Sequence, residues 1–428
     1  MRPTVDGHYS WIQVISSFIY HVVFIGVSFS FGIFYVELLD EFPGSESEAA
    51  WITSINFAFL MLLGPLSVRV LERIPVQIVS FVGSILGGAG LYLSSKATDI
   101  LTLFGTFSVM HGIGTHLCYI SSIWIIRRNF YMKKDVALGV ASAGSGAGGV
   151  LFGVMLPVLI QSNGWRMSMQ VLSYISFATV ILSLSMIPAE KESQVNTVRT
   201  VESGQSCESA NRPNLNKTPS PLKNPAFLVL SVSIMINTFV SNIPYCHIVN
   251  YAVQRGVNRR KGDYLPLFIS AGSLVGRFGL GRLVGFFGLT RLRLGQLVFL
   301  FQSLVTTFLT LANTAPSLVA ISVLFGIFDG AFCCLILIVS DDVFEDNKKA
   351  LYAMGHLFWM LAFPYAFGAP ISAILYNETG SYNVPFFICG GVLFIASLLV
   401  SLVEYILESQ NTKMTHNVQE KKMLFANH

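Results

Sequence analysis

Twelve long apolar stretches, most of about 20 to 28 residues, divide six and six around a polar segment at residues 188–224. Each can cross a hydrocarbon core of ~30 Å at about 1.5 Å of helix rise per residue. That feature removes a soluble globular domain and leaves a polytopic membrane protein. Charge content agrees, since only 12% of residues are charged, about half the share of a typical soluble domain. The runs are continuously apolar rather than alternating, so they predict helices and not the strands of a barrel. The fold class expected is an all-α membrane protein.

The spans are placed at 11–36, 50–69, 76–96, 99–126, 136–161, 165–187, 226–250, 264–286, 293–313, 316–340, 349–376 and 384–407. This divides the chain into a six-helix bundle at 1–187, a linker at 188–224, a second bundle at 225–407 and a polar tail at 408–428. The linker is rich in Pro, Ser, Asn, Glu and Lys without helical periodicity, the composition of a flexible tether. Two six-span halves joined this way suggest a transporter that rocks one half against the other. No phosphate-cradling GxxxxGK[ST] loop argues for nucleotide-driven pumping, and no re-entrant filter segment argues for a channel. No nucleophile–base or metal-ligand cluster supports an enzyme.

A net charge of +4 raises nucleic acid as a partner, but the positions of the bases give another answer. Arg69, Arg73, Arg127, Arg128, Lys133, Lys134, Arg291 and Arg293 fall in loops on one side. The first loop on the other side holds Glu37, Asp40, Glu41, Glu46 and Glu48 with no Lys or Arg. The positive-inside rule then puts both termini and the linker in the cytoplasm. One loop dissents, with Arg255, Arg259, Arg260 and Lys261 outside. Met1 to Ser10 is too short and polar for a cleaved signal, so the first span is expected to serve as an uncleaved anchor. The cysteines form no CxxC and read as small buried apolar residues. Asn216 and Asn377 match the glycosylation pattern, and only the second would face outward.

Within the fifth span, Gly139, Gly144, Gly146, Gly148, Gly149 and Gly153 allow close approach of neighbouring backbones. Static close packing and sliding of a rocking bundle are equally good uses of such glycines.

Four fragments carry a family resemblance. The opening Asp6-Gly7-His8-Tyr9-Ser10-Trp11, the stretch Phe130 to Lys134 followed by Ala137 to Gly144, Pro244-Tyr245-Cys246-His247 with Tyr251-Ala252, and Gly368-Ala369-Pro370 with Leu375 to Tyr382 occur in order. They resemble signatures of the monocarboxylate transporters, a branch of the major facilitator superfamily, over about residues 6–187 and 225–400. The resemblance implies twelve transmembrane helices in two halves and carriage of a small organic anion by alternating access, without a cofactor. It also implies a plasma-membrane location and a single-span immunoglobulin-like escort beside the lipid bilayer, with no nucleic-acid partner. Proton-coupled lactate carriers of this family use a first-span lysine, where Phe29 stands here. They also use an eighth-span Asp-x-x-x-Arg, which here reads Ser273 to Arg277. These departures argue for weak or absent proton coupling.

An ionisable residue at mid-bilayer costs about 2.5–3.5 kcal/mol or more unless paired or facing water. Arg277 in the eighth span and Asp329 in the tenth each lie about 13 residues from the predicted outer end, about 20 Å along a helix. Matching depths predict a bidentate Arg277–Asp329 pair, with Arg277 binding a substrate carboxylate. The competing reading is a static brace. The same Arg/Asp arrangement resembles the branch that carries aromatic amino acids and thyroid hormones. That branch's seventh-span histidine corresponds to His247, while its first-span histidine is Ser28 here. Phe29, an aromatic replacing a charge, predicts a site for a bulkier, more apolar anion. His116 and Tyr119, three residues apart on one helical face, complete the candidate site, whereas His21 and His111 are expected to hydrogen-bond neighbouring helices. A substrate sensor without transport is the opposing reading, which a costly retained arginine argues against.

Overall fold

The computed structural model describes residues 4–42, 46–189, 221–258, 262, 264–286, 288–344 and 346–426, which are mostly helical with no strand among them. Helix α1 runs over His8–Tyr35 and includes a π-helical turn at His21–Ile25. A bent pair follows, α2 (Glu46–Leu62) and α3 (Gly64–Arg73), with 44° between the spanning part of α2 and α3. Next come α4 (Val76–Ser94), α5 (Ile100–Asn129) and α6 (Lys134–Ser183). The second half holds α7 (Pro225–Gln254), α8 (Leu265–Phe286), α9 (Arg291–Leu309), α10 (Ala315–Ile338), α11 (Asn347–Thr379) and α12 (Asn383–Ala426).

Among the described residues nine helices are long and apolar enough to span a membrane, and the bent α2–α3 pair makes a tenth. The α6 segment carries both the fifth and sixth expected spans, broken where Gly164 takes φ 77°. That left-handed region is open to glycine without penalty. The shorter apolar stretch Leu265–Gly279 falls in the eighth. This is consistent with twelve spans. The linker lies almost wholly outside the described residues, as do Cys207 and Asn216. The expected polar tail continues α12 to Ala426, because its Lys, Gln, Glu and Met residues sustain a helix once started.

Glycine sets the helix spacing. On α6, a Cβ at Gly144 or Gly148 would strike the α1 carbonyls of Phe18 and Val22, while one at Gly146 or Gly149 would strike Leu274 or Ser270 of α8. The fifth-span glycines thus serve two faces and wedge α6 between α1 and α8. Between α8 and α10 the contact is reciprocal. Gly272 and Gly276 seat against Val323 and Ile327, and Gly326 and Gly330 against Ile269 and Ser273. This is the small-xxx-small approach of membrane helices, and it brings the helix of Arg277 against that of Asp329.

Among the described residues the halves share one continuous apolar core toward the end that carries Arg127 and Arg291, where Trp124 and Ile126 cluster with Leu337 and Phe358. Toward the other end each half keeps its own cluster, around Phe31, Phe107 and Trp165 in the first and Tyr251, Leu309 and Phe386 in the second. Ion pairs between halves collect at the basic end too. Asp341 receives Arg127 and, at 2.7 Å, Lys134. Arg291 bridges Asp135 at 2.9 Å and Asp342 at 2.6 Å, and Lys348 meets Glu72 at 3.0 Å. Burial pushes the Asp342 carboxyl above the usual carboxylate range, with the Arg291 guanidinium pulling the other way. Bases read as topology signals therefore also tie the halves together.

Candidate substrate site

Arg277 is 4% exposed and reaches out of α8 toward the first half. Its Nε donates to Ser273 Oγ one turn back at 3.2 Å, and one Nη donates to the Ser142 carbonyl of α6 at 3.3 Å. Asp329 on α10, 3% exposed, accepts from the Tyr245 hydroxyl of α7 at 3.0 Å. The expected bidentate Arg277–Asp329 pair is not formed. The two charges lie within electrostatic range of one another, but the arginine has turned to neutral oxygens and the carboxylate to a phenol. Competing partners hold the two side chains apart: Ser273 Oγ and the Ser142 carbonyl engage the guanidinium, and the Tyr245 hydroxyl engages the carboxylate.

Around the arginine stand groups from both halves. Tyr119 of α5 lies within electrostatic range of Arg277, and its ring sits between His21 at 5.1 Å and Phe358 at 5.6 Å. Phe29 stacks on Tyr245 with ring centroids 5.4 Å apart and 15° between planes. Behind it Phe57 lies 5.4 Å from Phe29 and 5.6 Å from Tyr365 of α11. An aromatic wall thus crosses from one half to the other beside a guanidinium, uniting Arg277, Asp329, Phe29 and Tyr119.

Two expected members lie elsewhere. His116 is fully buried with both ring nitrogens engaged, Nδ1 on the Leu60 carbonyl at 2.6 Å and Nε2 on Ser67 Oγ at 2.7 Å. A carbonyl only accepts, so Nδ1 carries the proton and Nε2 receives the serine hydroxyl. It braces α5 against the bent pair. His247 sits with its ring 5.6 Å from Tyr382, near the start of α12. The site residue on that turn is instead Tyr245, two positions earlier and about 200° around the helix. His111 bonds the Gly87 carbonyl of α4 at 3.1 Å, as expected of a brace. His21 departs from expectation, bonding the Ser17 carbonyl of its own helix at 2.7 Å. Ser28 is tied to Asn56 at 2.8 Å. Among the described residues no His, Cys, Asp and Glu cluster suits a metal ion.

Residues 16–351 match the family model of the Major Facilitator Superfamily. The chain belongs to that superfamily. Within it, the chain is 28% identical to monocarboxylate transporter 12 of Xenopus laevis, over 94% of this chain and 90% of the relative. It is 26% identical to human monocarboxylate transporter 12, over 97% and 84%. Against monocarboxylate transporter 10 of Rattus norvegicus it is 23% identical, over 98% and 82%. The resemblance carried by the four fragments is thus borne out. This major facilitator is a multi-pass membrane transporter acting on an organic substrate, not an enzyme, and along nearly its whole length it is similar to monocarboxylate transporters.

Proposed function

We propose that the protein carries an organic monocarboxylate with a large apolar or aromatic body by alternating access, with Arg277 as the carboxylate anchor. One observation carries the reading. A guanidinium buried between the halves spends two donors on neutral oxygens and forms no ion pair among the described residues. A guanidinium presents five donors in a planar fork, so a substrate carboxylate can take the charge partner that the protein withholds. The Phe29–Tyr245 stack and Phe57 form the apolar wall, and Asp329 tunes the field. The basic end is the cytoplasmic one, with both termini on that side, in the plasma membrane.

The decisive experiment is uptake and counterflow of aliphatic and aromatic monocarboxylates in proteoliposomes, with pH gradients imposed and removed. Saturable counterflow is expected, whereas binding without flux would make the protein a sensor. An inward proton gradient is expected to change uptake little, because Ser273 and Phe29 cannot ionise with the loading cycle. Proton-driven accumulation abolished by a protonophore would overturn that part.

The wall has its own test. Phe29→Ala should weaken large aromatic carboxylates more than small ones, by roughly 10- to 200-fold for about 1–3 kcal/mol of apolar contact. Equal losses for both, at normal expression, would make Phe29 a packing residue.

A further inference from the structure

A second polar atom near the guanidinium lacks a partner among the described residues. His21 is 2% exposed, and its Nε2 has no hydrogen-bond partner among them. Its Nδ1 faces the Ser17 carbonyl at 2.7 Å. A carbonyl cannot donate, so in the neutral ring Nδ1 holds the proton and Nε2 presents a bare lone pair. Buried acceptors are normally satisfied, and one that is not asks for an explanation. The ring packs edge-on to Tyr119 at 5.1 Å and rests its Cβ on the Gly144 backbone of α6. Arg277, held by Ser142 two residues before Gly144, lies within electrostatic range of it. His21 also opens the π-helical turn of α1, an irregularity that tends to mark functional positions.

Resting on the carboxylate reading of Arg277, we propose that His21 Nε2 accepts a hydrogen bond from a hydroxyl or amine that the substrate carries near its carboxylate. The site then has two polar points, a donor fork at Arg277 and a single acceptor at His21, set in an aromatic wall. The class that fills both is a hydroxy- or amino-substituted aromatic carboxylic acid. An unsubstituted acid of the same shape would leave the lone pair bare, and a site built for a donor discriminates against the analogue that lacks it.

The test compares 3-phenyllactate and phenylalanine with 3-phenylpropanoate, as competing ligands for the full-length protein in proteoliposomes and by thermal stabilisation of the detergent-solubilised protein. Wild type should prefer at least one of the two substituted acids. His21→Met should shrink that preference about 10-fold, the equivalent of one hydrogen bond. His21→Gln, whose side-chain oxygen can accept from a similar position, should recover part of it. A wild type indifferent to the substituent overturns the inference without any variant, as does an unchanged preference in His21→Met. Arg277→Gln separates the two levels. If it binds all three acids as wild type does, the carboxylate reading falls and this one with it. If it loses all three while His21→Met keeps the preference, His21 alone is misassigned.

Discussion

Arg277→Lys should lose most transport while keeping the positive charge, with affinity for a carboxylate substrate falling roughly 10- to 100-fold. Lysine offers a point charge in place of a planar fork. It can reach either the substrate or the Ser142 carbonyl, and the charge-assisted bond it gives up is worth about 1.5–3 kcal/mol. Because Arg277 makes no direct ion pair among the described residues, Arg277→Gln should leave none of their carboxylates stranded at bonding distance, and Asp329 keeps its Tyr245 hydroxyl at 3.0 Å. Expression of Arg277→Gln should therefore stay close to wild type, and adding Asp329→Asn should improve it little. Asp329→Asn alone retains an oxygen to accept from Tyr245 and should alter turnover more than folding. Uptake normalised to surface protein measures all four. Wild-type flux in Arg277→Lys, or restored transport in the double variant, would put the carboxylate elsewhere.

The bundle was legible because membrane helices declare themselves by length and apolarity, and hydrocarbon tolerates few alternatives. Arg277 and Asp329 stood out for the converse reason, as charges where charge is expensive. What they do with their side chains was not legible. Equal depth suggested an ion pair, but depth says nothing of azimuth or of competing acceptors, and Ser142 sits in the other half of the chain. Azimuth decides the seventh span as well. His247 drew attention by its chemistry, although Tyr245 in the same fragment faces Asp329. Sequence offered a hint there, since residues two apart on a helix point to nearly opposite sides. His116 shows a different limit, because a buried brace and a ligand group look alike until both ring nitrogens are traced. The orphaned Nε2 of His21 is invisible in sequence, being defined by the partner it lacks.

Loosening the basic end should shift the balance of conformations more than any change in the aromatic wall. Asp341 receives both Arg127 and Lys134, and the Arg127 and Asp341 side chains are only 5% and 9% exposed. Arg127 donates also to the Leu337 carbonyl at 2.7 Å, so the guanidinium is held in the second half by two acceptors. Asp341→Asn leaves two cations facing one neutral amide. The cost lies between the ~1 kcal/mol of an exposed pair and the ~3–5 kcal/mol of a buried one, and every 1.4 kcal/mol moves a two-state population about tenfold. In the state open at this end, water solvates Arg127 and Lys134, so nearly all of the penalty falls on the closed state. Arg291→Gln should act in the same direction, since it releases Asp135 of the first half from Asp342 of the second. Spin labels at the exposed Lys133 and Lys349, in a background without native cysteines, report the separation across this end. A longer distance population should grow in either variant and shrink again in the Asp341→Asn, Arg127→Gln, Lys134→Gln triple variant, where no unpaired cation remains. Distances unchanged by Asp341→Asn would mean that the shared apolar core around Trp124 and Phe358 holds the halves together, with the ion pairs as its solvated rim.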